Sequence, residues 1–385
     1  MSAHYRLGLL FSSTGPYSVV STAMLNGAVL AIEEVNEGPL AISLDYQGVN
    51  PNGELSRYAP LCAELLDQGI KHVVGCYTSS SRKEVIPLFE KKDALLWYPS
   101  HYEGFESSTN VIYTGAAPNQ HIMPLMAHML GQYGSRAFCV GSNYIWAWEN
   151  NRILRETVVE HGGTVLGERY FPVGETDFGQ VIEAIFEARP SFVFNTLIGT
   201  SAYQFFRDFR AAGQARGIDQ PRRIPVASCS LSEPELEAIG PEAVDGHISS
   251  SVYFSSIHSD ANERFLAAYA ARFPDGPSTS ADAEASYVAV KLLAAALAAA
   301  GTDDVVAVKE AVCRQRLAAP QGQVWIDEQN LHAHLTPRIG RSTPSARFDI
   351  VREATAPVQP DPYLVRSTPR FDVADAPPRL LRVVR

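Results

Sequence analysis

The chain has 385 residues, 46% of them hydrophobic and 10% aromatic, which supplies cores for two or three domains and excludes intrinsic disorder. Lys plus Arg number 32 against 42 Asp plus Glu, and a formal charge of −10 lacks the basic footprint that non-specific nucleic-acid binding needs. No uninterrupted run of roughly 18 apolar residues suggests a transmembrane helix.

Leu7 to Phe11 is a short apolar run followed by polar Ser12, Ser13 and Thr14 and then Gly15-Pro16. It reads as a first core strand and its turn rather than a secretory signal. This favours a cytoplasmic protein, or a periplasmic one if a signal peptide has been removed. Between Tyr17 and Asn36, Val20, Met24, Ala28, Ile32 and Val35 recur at three- and four-residue spacing, the stripe of a helix packed on one side. Ile42 to Tyr46 predicts a strand, Ser56 to Gln68 a helix, Val73 to Cys76 a buried strand, Ser81 to Lys92 a helix, and Ala94 to Tyr98 another strand. That alternation indicates a parallel sheet with helices on both faces.

A second series begins near residue 120. Helices are expected over His121–Tyr133, Asn150–His161, Phe178–Ala188 and Tyr203–Ala212, with strands over Ala137–Gly141, Thr164–Tyr170, Ser191–Asn195 and Ile224–Ser228. Two later helices, Asn262–Phe273 and Ala281–Ala300, lie too far along for this second unit. The expected fold class is α/β: two doubly wound parallel-sheet lobes with the chain crossing back between them. The proline-rich stretch from Glu353 to Arg385 reads as an extended strap over one lobe.

Ligands of open α/β sheets sit beyond the carboxyl ends of the strands. The segments at those ends are Gly75 to Lys83, Trp97 to Gly104, Gly141 to Asn150, Asn195 to Ser201, and Ser228 to Ser232. They hold many hydroxyls and aromatic rings and few charges, which suits a small, neutral, polar solute. A primary amide or urea would be satisfied there without formal charge. An amino acid would need a carboxylate anchor, for which Ser79 to Ser81 at a helix N-terminus is available. Glu103 and Glu149 are the candidate partners for its ammonium. The structural alternatives are that Ser81 is an N-cap and that Tyr98 and Trp148 cover a core.

Catalytic signals are poor, and no enzyme is expected. Val140-Gly-Ser142-Asn143 lacks the glycines of a nucleophile elbow, and there is no P-loop. His332-Ala-His334 lacks helical zinc-ligand spacing, and with Asp327 and Glu328 it reads as a solvated loop. Cys62, Cys76, Cys139, Cys229 and Cys313 are widely spaced, which suggests free thiols, mostly buried. No cofactor, metal ligand or catalytic residue is assigned.

GCYTSSSRKEVIPLFE, LLWYPSHYEGFESS, NVIYTGAAPNQ, VGSNYIWAWENN, AAPQGQVWID and QPDPYLV resemble segments of the type I periplasmic-binding-protein superfamily. They are similar in particular to the branch holding urea-binding proteins of ABC transporters and the amide sensors that negatively regulate aliphatic amidase operons. The similarity runs from about residue 6 to residue 365. It implies a ligand cleft between two lobes joined by three crossovers, near Thr114–Asn119, Val252–Ser256 and Gly322–Trp325. One lobe would then comprise 1–116 plus 256–322, and the other 117–255 plus 323–385 with the extended tail. Tyr77, Ser79, Tyr98, Ser100 and Tyr144 match pocket positions of the family. Trp146 stands at a further one, His101 replaces a proline, and Thr196 and Ser230 are second-lobe candidates.

The function implied is a cytoplasmic sensor of small amides or urea that sequesters an RNA-binding antitermination regulator. Its expected partners are the amide and that regulator, with no direct nucleic-acid contact or membrane insertion; a homo-oligomer is compatible. The alternative is the substrate-binding protein of an ABC importer for urea, short amides or branched-chain amino acids.

Overall fold

The structure, a computed structural model, describes residues 3–365. The last part of the expected strap, 366–385, lies outside the described residues. The first sheet is built from β1 (Ala3–Leu10), β2 (Ile42–Val49), β3 (His72–Gly75), β4 (Leu95–Tyr98) and β5 (Val111–Tyr113), all parallel, in the order β2-β1-β3-β4-β5. Leu7 and Leu9 of β1 face a core shared with α1 (Ser18–Glu37), whereas Leu10 faces Tyr58 and Cys62 of α2 (Leu55–Asp67) and Val85 of α3 (Ser79–Lys92). Both faces are covered, which is why these strands read as unbroken apolar runs.

The chain leaves this sheet after β5 and enters α4 (Ile122–Gln132). It then alternates through β6 (Arg136–Ser142), α5 (Ile145–Glu160), β7 (Thr164–Phe171), α6 (Gly179–Ala188), β8 (Phe192–Thr196) and α7 (Gly199–Ala215). A single turn, α8 (Gln220–Arg223), leads to β9 (Val226–Ser228), α9 (Glu233–Ile239) and β10 (Ile248–Ser251). It returns to the first unit through α10 (Asp260–Arg272), α11 (Ala281–Ala300) and α12 (Val305–Cys313). A three-stranded sheet follows, of β11 (Leu317–Ala319), β12 (Gly322–Ile326) and β13 (Ala333–His334). Beside it, His332 bridges Tyr113 of the first sheet. The third passage between the two large sheets therefore falls at 335–337, beyond the expected Gly322–Trp325, because β12 is committed to its ladder with β11 and β13. Finally β14 (Arg338–Ser342) and β15 (Phe348–Glu353) complete a second sheet of order β15-β14-β10-β9-β8-β6-β7.

Arg338 ties the passages together. Its guanidinium donates to the carbonyls of Val252, Gln321 and Thr336 and pairs with Glu353. After β15 the chain crosses back: Val358 donates its amide to Leu335, Phe105 donates to Pro362, and the Tyr363 hydroxyl donates to the Glu106 carbonyl.

Helices α1 and α11 are 20 residues each and apolar enough to cross a membrane by length and composition, although polar residues interrupt the apolar run of each. Two-thirds of each apolar window is buried in the protein, and they pack against one another. The contact is close: a Cβ at Gly27 would stand 2.1 Å from the Ala283 carbonyl oxygen.

Two helices start at least a full turn earlier than expected. Helix α5 begins at Ile145 rather than Asn150, because Trp146 and Ala147 continue its buried face. Helix α7 begins at Gly199 rather than Tyr203, and this start brings the two lobes together. The Thr200 amide donates to the Pro16 carbonyl at 3.0 Å, and Gly199, at φ 58°, leaves no room for a Cβ, which would lie 2.2 Å from the Pro16 oxygen. A Gly199→Ala variant is expected to keep its fold but hold the lobes apart, increasing the radius of gyration in solution scattering. An unchanged scattering profile would contradict that role for the contact.

Candidate functional site

The segment between β3 and α3 begins with Cys76 at φ 65°, a left-handed conformation that costs a side-chain-bearing residue about 1–3 kcal/mol. Its amide is fixed to the Leu10 carbonyl. This turn delivers Tyr77 and then Thr78, whose side chain caps α3 by accepting from the Ser81 amide. Ser81 is thus not the N-cap; its hydroxyl donates back to the Thr78 carbonyl.

Ser79, the first residue of α3, is committed on two sides. Its hydroxyl donates to Glu103 in a short hydrogen bond and accepts from Arg82 at 3.2 Å. Arg82 is fully buried and pairs with Glu103 at 2.9 Å and Glu106 at 3.4 Å. Its guanidinium lies over the rings of Tyr98 and Tyr102, 4.8 and 4.7 Å from their centroids. Burial opposes the charge, but Glu103 and its neighbours hold the pKa well above the ordinary arginine value.

The cleft between the lobes contains two adjoining compartments that share His101. The first is lined by Tyr77, Ser79, Ser100, His101, Tyr144, Trp146 and Ile198. Within it the Ser100 hydroxyl and the Trp146 indole nitrogen are buried without a hydrogen-bond partner among the described residues. The second holds Ser230 with Ser232, Ser250, His121 and Asp282. There His101 Nδ1 stands 3.4 Å from Asp282 Oδ1.

Of the residues expected in a pocket, Tyr77, Ser79, Ser100, His101, Tyr144 and Trp146 come together in the first compartment, and Ser230 joins His101 in the second. Two do not line either compartment. Tyr98 stands behind the first, fully buried, its hydroxyl donating to the Tyr77 carbonyl at 2.8 Å. Thr196 is also fully buried at the end of β8, bonded to Asn151 and the Val140 carbonyl. Glu103 is spent on Arg82 and Glu149 on Arg152 at 2.9 Å, so neither serves as the ammonium partner considered for an amino acid.

Asp282 was missed. Its signal was an acid in the first turn of an otherwise alanine-rich apolar helix, where the dipole favours a carboxylate. Glu235 was missed too. Burial pushes its carboxyl up to about 8, against two hydrogen bonds from Ser232, and Asp282 adds to the rise.

Elsewhere, the segment holding His332 and His334 is no solvated loop. His332 stacks on Tyr113 at 4.1 Å, and His334 stacks on Trp325 while pairing with Asp327 at 3.1 Å. Trp148, by contrast, covers no core; it is exposed and donates to Asn143.

With this geometry in view, a family profile described as the periplasmic binding protein domain matches residues 5–369. The chain belongs to that family. Solved structures agree in fold. A solute-binding protein of an ABC transporter from Rhodopseudomonas palustris, in complex with p-hydroxybenzoic acid, superposes with a TM-score of 0.83 at 18% identity, covering 94% of this chain and 100% of its own. A second from R. palustris, in complex with benzoate, gives 0.82 at 19%, covering 93% and 98%. The branched-chain amino acid transporter substrate-binding protein of Streptococcus pneumoniae, in complex with isoleucine, gives 0.77 at 17%, covering 93% and 100%.

These matches are to solute-binding proteins and not to enzymes. They overturn the expectation of a cytoplasmic sensor that sequesters an antitermination regulator, and with it the cytoplasmic placement. The likeness holds for the superfamily and singles out neither its amide-sensing nor its urea-binding branch.

Two predictions follow from the buried charges. Replacing Arg82 by Met leaves buried Glu103 with only the Ser79 hydroxyl and a longer approach of Lys83 at 3.9 Å, and should lower stability by about 3–5 kcal/mol in urea unfolding; a loss under about 1 kcal/mol would show that the pair is dispensable.

The second concerns pH. Burial depresses His72 to about 4 and His121, His247 and His332 to about 3. Unfolded, these rings titrate near about 6.5, so stability falls as pH drops through the interval below that value. Glu235 and Glu284, raised by burial to about 8 and about 7, work oppositely: their folded forms keep protons above about 4.5, so stability falls as pH rises toward 8. Four histidines outweigh two carboxyls at acid pH, and the melting temperature should peak at about pH 6–7. A melting temperature still climbing at pH 9 would contradict this balance.

Proposed function

We propose that this chain is the solute-binding component of an ABC importer and takes a small nitrogen-bearing organic solute between its lobes, with a primary amide or urea group in the first compartment. The observation that carries this reading is the pair of buried, unpaired groups at Ser100 and Trp146. An indole N–H can only donate, and a serine hydroxyl can donate or accept. The proton of Ser79 is already given to Glu103, so toward the cleft its oxygen can only accept. Two donors and an acceptor around one small space complement an amide, whose carbonyl accepts and whose NH₂ donates.

A carboxylate would meet the two donors equally well but would bring no hydrogen to Ser79. This disfavours benzoate-like solutes, despite the ligands held by the R. palustris proteins. The loop motifs, similar to those of urea-binding proteins, favour the same class. The rings of Tyr77, Tyr144 and Trp146 supply flat apolar contact around it, Tyr144 stacking on Trp146 at 6.2 Å.

A solute that binds only the folded protein raises its melting temperature. Urea, acetamide or butyramide is expected to do so, and benzoate is not. Trp146→Phe and Ser100→Ala each remove one partner of a buried hydrogen bond, a loss of about 1–3 kcal/mol, and should weaken calorimetric binding roughly tenfold or more. Stabilisation by benzoate alone, or undiminished amide affinity in both folded variants, would overturn the amide reading.

A further inference from the structure

The second compartment differs in chemistry from the first. Its wall carries Asp282, whose Oδ1 faces His101 Nδ1 at 3.4 Å. His121 contributes a bare acceptor. Its Nε2 lies 2.8 Å from the Tyr102 carbonyl, which can only accept, so Nε2 carries the hydrogen of this neutral ring. Nδ1 is then a lone pair, buried and without a partner among the described residues.

The serines add to this bias. Ser232 gives its proton to Glu235 and Ser250 gives its proton to the His121 carbonyl, so both turn oxygen lone pairs outward. Behind Ser232 the carboxyl of Glu235 interacts with Asp282 across the cleft. No Lys or Arg lines the compartment among the described residues. A wall rich in acceptors, with a carboxylate faced only by His101 at 3.4 Å among the ion pairs of the described residues, calls for a group that is all donor and positively charged.

We propose that the solute is two-ended and that its far end is a cationic amino, amidinium or guanidinium group held by Asp282. This rests on the amide reading of the first compartment, and His101, common to both compartments, marks where the two ends meet. Seating the cation supplies the counter-charge for Asp282 and gives N–H donors to His121 Nδ1 and the serine oxygens.

A matched pair of probes separates the two claims: butyramide, and 4-aminobutyramide, which adds only a terminal ammonium. Calorimetric titration of the full chain is expected to show 4-aminobutyramide binding at least tenfold tighter than butyramide. Asp282→Asn should abolish that ratio, and Asp282→Glu, which keeps the charge, should retain part of it. Melting without solute checks that both variants fold. Equal affinities for the two probes, or a ratio that survives Asp282→Asn, would overturn the cationic end and leave the amide reading standing. Failure of both amides to bind while isoleucine or benzoate binds would overturn the amide reading, and this inference with it.

Discussion

A buried positive charge organises the first half of the binding cleft. Removing a guanidinium from water costs several kcal/mol unless its partners are well placed. Arg82 meets that demand with Glu103, Glu106 and the faces of Tyr98 and Tyr102. The consequences reach outward from it. Glu103 must stay where it is, which fixes the segment after β4 and takes the proton of Ser79. That segment in turn receives the returning strap at Phe105 and Glu106. The first turn of α3, the lip of the cleft and residues 362–363 thus depend on one ion pair. Tyr98 acquires a different meaning in this arrangement: it is a support for Arg82 and Tyr77, one layer behind the cavity.

Small residues stand where the backbone must come close, both between the lobes and within the first one. Gly199 admits Pro16 across the cleft, and Gly27 lets α1 settle onto α11, the helix whose first turn carries Asp282. Arg338 gathers the carbonyls of Val252, Gln321 and Thr336, so two of the passages between lobes share one guanidinium. Closure and ligand contact therefore draw on the same few elements.

Much of the first unit was legible in the sequence, because its strands are covered on both faces and stand out as apolar runs between amphipathic helices. Strand-end loops were legible for the same reason, and they carried Tyr77, Ser79, Ser100, Tyr144 and Trp146 into the cleft. Helix starts were harder to read: polar residues beside Trp146 and Thr200 hid turns whose other faces are buried. Asp282 and His121 escaped notice because their role comes from long-range packing, which places the start of α11 and the entry to α4 against the same cleft. The functional class escaped for another reason. Pocket motifs report what the cleft touches, and a sensor and a transport receptor touch small solutes in the same way; the family match places the chain in the periplasmic-binding-protein family.

The central claim is that the cleft between the lobes holds a small solute across both compartments. The most direct measurement is a crystal structure of the protein with 4-aminobutyramide. The account predicts density with its amide between Ser100 and Trp146 and its ammonium beside Asp282. Density outside the cleft, or in the reversed orientation, would contradict it.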